Sequence, residues 1–100
     1  MKGKKDMLGK PDYTLIDPYF LEGMVNAMEK GKVKYARQNW QTIHDPHKLM
    51  AAAMRHLFAV HRGEFADNET GMSHLLHVAC NMMFLYYHER HAGGWKSEYE

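Results

Sequence analysis

From Gly63 to Asn81 the chain reads GEFADNETGMSHLLHVACN. The carboxylates of Glu64, Asp67 and Glu69, the imidazoles of His74 and His77 and the amide of Asn81 all fall in this stretch. Carboxylate oxygen holds hard divalent ions such as Mg²⁺ and Mn²⁺, and histidine beside it tilts the choice toward Mn²⁺ or another transition metal. Glu64 and Asp67 have E-x-x-D spacing, which sets two carboxylates on one side of a helical turn. His74, His77 and Asn81, at i, i+3 and i+7, share one face of a helix, and His88 continues their line. A second account needs no metal. Acids ahead of a helix start are favoured by the helix dipole, and DNETG is good turn chemistry. On spacing alone that structural account is the stronger.

Two further groups of side chains suit a phosphorylated ligand. Arg55 and His56 sit midway along an apolar-periodic segment, and Arg55 and Arg62 are seven apart and share a face. Such a face makes either salt bridges to the acidic loop or a cationic wall for a phosphate chain, since arginine offers a bidentate fork. In KYARQNW, Lys34 can reach phosphate, Asn39 a base edge, and Trp40 can stack on a base. The competing account makes Tyr35 and Trp40 core anchors and leaves Lys34 in water. His44-Asp45 spells the HD dipeptide of metal phosphohydrolases, but Asp45 precedes Pro46 and reads as a helix cap.

The elements that must position these residues are helical. Residues 1–16 read as an arm, with Gly9 and Pro11 and little periodicity. Asp17-Pro18 is a helix start, and Phe20, Leu21, Met24, Val25 and Met28 recur at helical spacing up to Gly31. Asp45-Pro46 repeats the signal, and Leu49, Met50, Ala53, Leu57 and Val60 form a face that Gly63 ends. Ser73 is positioned to cap a third helix running toward Gly93-Gly94, and 93–100 forms a tail. Alternating β-branched runs are absent. The expectation is one all-α domain over 1–100, a small bundle of three main helices with an N-terminal arm. At 100 residues the core is thin, and the run Met82, Met83, Phe84, Tyr86, Tyr87 exceeds one helix face, so a homo-oligomer is expected to complete it.

Composition narrows the partners. The chain has 45% hydrophobic and 25% charged residues, with a net charge of +1, so no global field draws nucleic acid or a membrane surface. No run approaches the roughly 18 apolar residues of a membrane span, and no apolar segment of the signal-peptide kind follows MKGKK. Cys80 is the single cysteine, which excludes an internal disulfide and a cysteine-rich zinc site and fits a reducing cytoplasm. The 9 methionines suit loose helical packing, whereas the 8 histidines carry both ligand and acid–base capacity.

Taken in order, the motifs resemble a known family. Gly9-Lys10-Pro11, Lys34-Tyr35, Asn39-Trp40, Arg55-His56-Leu57, Gly63-Glu64, Asp67, Glu69-Thr70-Gly71, His74, His77 and Cys80-Asn81 are similar to the hallmarks of the phage dATP/dGTP diphosphohydrolase N-terminal domain family. The likeness covers roughly residues 9 to 91. It implies metal-assisted cleavage of a purine deoxynucleoside triphosphate to the monophosphate and pyrophosphate, in the cytoplasm of an infected host. It further implies a divalent metal, Mg²⁺ or Mn²⁺, held by Glu64, Asp67, Glu69 and His77, with Glu64, His74 and His77 as catalytic groups. Lys10, Lys34, Arg55 and His56 would hold phosphates, and Asn39, Trp40 and Asn81 the base and sugar. More distantly it resembles the MazG-like all-α pyrophosphohydrolases. Those pair E-x-x-E on one helix with E-x-x-D on another, and of these only Glu64-x-x-Asp67 is present. Two alternatives stand beside the enzyme: a phage protein that binds and sequesters a nucleotide without cleaving it, and an interaction protein whose methionine-rich helices form an interface.

Overall fold

The computed structural model describes residues 9–31 and 45–91. Its elements are a short 3-10 turn at Tyr13–Leu15 and the helices α1 (Pro18–Lys30), α2 (Pro46–His61) and α3 (His74–His91), with no strand among the described residues. Each helix starts where its cap predicts. The Asp17 carboxylate accepts from the Tyr19 N–H, Asp45 does the same for His47, and the Ser73 hydroxyl accepts from Leu75, all at 3.1 Å. Each bond satisfies one of the N–H groups that a first helical turn leaves without a partner.

The end of α2 sets the direction in which the chain continues. Glu64 N–H donates to the Ala59 carbonyl and Gly63 N–H to the Val60 carbonyl, both at 2.9 Å. This is the Schellman pattern, and it needs a left-handed residue, supplied by Gly63 at φ +91°. The chain reverses, and α3 returns antiparallel to α2, so that His56 meets His74 while Leu49 joins Phe84 and Leu85 at the far end. α1 packs on α3 as well, and α1 and α2 each meet α3 rather than one another.

A helix packed on two others must be apolar around most of its girth. α3 meets this demand with Leu76, Cys80, Met83, Phe84 and Leu85, packed against Ala27 of α1 and Leu49 of α2. Met24, Met28, Met50 and Met72 fill the gaps. Gly23 brings α1 close: a β-carbon there would stand 2.8 Å from a Leu76 methyl. The Cys80 thiol donates to the Met24 carbonyl at 3.5 Å across the same contact. Apolar side chains also remain at the surface, among them Tyr19 and Leu21 on α1, Phe58 on α2, and Met82 and Tyr86 on α3. No helix among the described residues is long and apolar enough to cross a membrane.

Phe84, at 1% exposure, is the centre of this packing. Phe84→Ala should cost about 3–5 kcal/mol, read as an earlier urea midpoint with the slope unchanged. Burial also pushes the Cys80 thiol up to about 11. Cys80 should therefore react with a thiol reagent at pH 8 only as fast as the protein opens, with denaturant restoring full reactivity. Rapid reaction of the folded protein would contradict the packing of α1 on α3.

Candidate metal centre

The buried face of α2 runs through Leu49 and Ala53, and His56 continues the same line. The helix therefore turns an imidazole into the seam, where Arg55, one residue earlier, stays exposed. Opposite, His74 opens α3, buried at 8% exposure, and His77 comes one turn later. His56 Nδ1 and His74 Nδ1 are 2.8 Å apart. The His56 ring stacks on His77 with centroids 4.8 Å apart and planes 18° off parallel. Two imidazole nitrogens at that separation share one proton, one donating and the other presenting its lone pair. Burial, then the neighbouring His77, lowers the His56 pKa from its usual 6.5, with His74 and Arg55 adding to the effect and Asp67 opposing it. Burial thus favours His56 in the neutral form that ligates metals.

The carboxylate arrives from the loop between α2 and α3. Asp67 N–H donates to the Met72 carbonyl at 2.8 Å and His74 N–H to the Phe65 carbonyl at 2.7 Å, which zips the loop at its base beside the first turn of α3. Gly71, at φ +72°, closes the turn by donating to the Asp67 carbonyl at 2.7 Å. Asp67 Oδ2 accepts from the Thr70 backbone N–H and hydroxyl, each at 3.0 Å. Burial works to raise the Asp67 pKa. The two Thr70 bonds, with His77 and His56 nearby, outweigh it and hold the group below its usual range as an anion.

One donor atom each from His56, Asp67 and His74 lies within 4.8 Å of the other two. Around an octahedral ion with bonds of about 2.1 Å, neighbouring donors stand about 3 Å apart. The His56–His74 edge is already near that spacing. Two imidazoles and one carboxylate also form a donor set that suits transition ions, so these residues fit a divalent metal. Beside the cluster, a crevice is lined by His56, His77 and Asn81 together with the apolar Met28 and Phe84.

The fold divides the residues singled out from sequence. Asp67, His74 and His77 come together, and Asn81, at 4% exposure, borders the crevice. His56, grouped with the phosphate cations on sequence, stands among the imidazoles; its place on the apolar line of α2 is the signal that separates it from Arg55. Glu64 leaves the end of α2 and pairs with Arg62 at 3.6 Å, both side chains 60% exposed. Glu69 is exposed on the loop, Arg55 on the outer side of α2 and Lys10 on the arm. Lys34, Asn39 and Trp40 lie outside the described residues. Thr70, given no role from sequence, contacts both Asp67 and His77.

The fold resists protonating His56 and the unfolded chain does not, so the unfolded state binds more protons below about pH 6.5. Stability should therefore be full above that pH and fall as the medium is acidified. In melts from pH 8 to 5, His56→Phe should flatten part of that fall. An unchanged slope would mean that His56 titrates as it does in the unfolded chain.

The family model described as dATP/dGTP diphosphohydrolase, N-terminal, matches residues 1–98. A protein of Salmonella phage PMBT28 named dATP/dGTP diphosphohydrolase is 36% identical over 87 residues, 87% of this chain and 30% of the relative. The chain thus spans about a third of the length of that curated relative. No solved structure matches. With the family model covering residues 1–98, the chain belongs to the dATP/dGTP diphosphohydrolase N-terminal family.

Proposed function

We propose that this chain carries a divalent transition-metal site on His56, Asp67 and His74, and that the site serves cleavage of a purine deoxynucleoside triphosphate to the monophosphate and pyrophosphate. The observation that carries the reading is the convergence of two imidazoles and one carboxylate at the head of the α2–α3 seam. The substrate class is taken from the name of the phage relative. Two neutral imidazoles and one carboxylate around a dication leave a net charge of about +1, which attracts a polyphosphate. When bound, such an ion supplies charge neutralisation and an activated water.

The chain's own residues supply the remainder. His77, stacked on His56 and lining the crevice, is the base that takes a proton from water. Asn81 in the same crevice offers an amide to the water or the sugar, and the exposed Arg55, next in sequence to His56, is the cation offered to phosphate oxygens. Glu64 and Glu69 act at the loop surface, where a carboxylate can hold a second, more hydrated ion such as Mg²⁺ carried in with the nucleotide. Imidazole nitrogen favours Mn²⁺, Co²⁺ or Zn²⁺ over Mg²⁺ at the inner position.

Two measurements test this. An ion at about 100 times its Kd should stabilise the fold by about 2.7 kcal/mol, so Mn²⁺ or Co²⁺ should raise the melting temperature where equal Mg²⁺ does not. His56→Ala and Asp67→Asn should abolish that rise. Pyrophosphate release from dATP and dGTP should then require the ion and be lost in the same variants, while Glu64→Ala should weaken turnover and keep the thermal shift. Metal binding and nucleotide binding without turnover would instead identify a protein that sequesters the nucleotide.

A further inference from the structure

One hydroxyl touches both sides of the cluster. Thr70 Oγ1 lies 3.0 Å from Asp67 Oδ2, 2.7 Å from His77 Nε2 and 3.2 Å from the backbone nitrogen of Met72. A threonine hydroxyl has one proton and two lone pairs. An ionised carboxylate can only accept, so the Thr70 proton points to Asp67. The Met72 N–H can only donate, and it occupies one lone pair. The remaining lone pair faces His77 Nε2, which must therefore carry hydrogen. In the neutral ring the lone pair of His77 is then on Nδ1. A loop residue fixes the tautomer of a helix residue.

The backbone holds this hydroxyl in place. Thr70 N–H donates to the same Asp67 oxygen at 3.0 Å, and the Gly71 N–H closes the turn onto the Asp67 carbonyl. Both Thr70 bonds go to Oδ2, so Oδ1 is the oxygen they leave to an ion. His77 Nε2 and Asp67 Oδ2 are themselves 3.9 Å apart, beyond a direct hydrogen bond, so Thr70 is the bridge between them.

We propose that Thr70 is a positioning residue that aims Asp67 at the metal and holds His77 as the Nε2–H tautomer, joining the loop to α3 as one donor arrangement. This rests on the metal-site reading and deepens it. Hydrogen-bond partners of metal ligands typically change metal affinity about 10- to 100-fold when removed. Thr70→Val keeps the shape and loses the hydroxyl, whereas Thr70→Ser keeps it.

The test uses ¹⁵N-imidazole NMR of the metal-free protein, and Mn²⁺ titration by calorimetry, on the wild type and both variants. Wild type and Thr70→Ser should show His77 with hydrogen on Nε2, and Thr70→Val should show a mixed tautomer. Mn²⁺ affinity should fall by about tenfold or more in Thr70→Val and return in Thr70→Ser. Hydrogen on His77 Nδ1 in the wild type overturns the proposal without any variant, so it stays testable should Thr70→Val fail to fold. Wild type that binds Mn²⁺ with Thr70→Val unchanged in both readouts also overturns it. Wild type that binds no Mn²⁺ overturns the metal-site reading, and the tautomer then reports on Thr70 by itself.

Discussion

A polar group placed in an apolar seam must find a partner or be expelled, and the contact between His56 and His74 is how this protein satisfies that constraint. The seam between α2 and α3 is closed at one end by Leu49, Phe84 and Leu85 and opened at the other by imidazoles. The two nitrogens 2.8 Å apart satisfy one another, His77 stacks over His56, and Asp67 closes the group from the loop. Remove the antiparallel return of α3 and none of these groups meets. The Gly63 cap, the loop zipped at Phe65 and Asp67, and the Ser73 cap all serve that return.

The same geometry separates carboxylates that look equivalent in a row. Glu64 lies just past the end of α2, where the Schellman turn carries it outward to Arg62. Asp67 lies past the reversal, where Thr70 and Gly71 bind both its side chain and its carbonyl. Three residues of chain thus divide an exposed, solvated acid from one held as an anion beside imidazoles. The result is a nitrogen-rich group with a single carboxylate. Imidazole is a softer donor than oxygen, so a donor set of this kind suits different ions from an all-carboxylate one.

This chain matches part of a phage relative about three times longer, so the matched stretch is one part of a larger molecule in that relative. Apolar residues such as Tyr19, Leu21 and Phe58 stay exposed on a domain whose core rests on a few side chains. Methionines around Phe84 let such a core fill irregular space, since the thioether chain adapts its shape.

The helices were legible from the residues in order, because their signals are local. Asp17-Pro18, Asp45-Pro46, Gly63 and Ser73 carry their own capping chemistry, and the structure uses each one. That His74, His77 and Asn81 share a face was legible too, since helical spacing fixes it without a neighbour. Which donors meet was settled only by packing. His56 lies 18 residues before His74 on another helix, and the register of α2 on α3 sets their nitrogens together. The parting of Glu64 from Asp67 and the bridge through Thr70 depend on how a loop folds back on itself. Spacing along a chain does not contain that information, because it is set by hydrogen bonds between residues that the packed helices bring together.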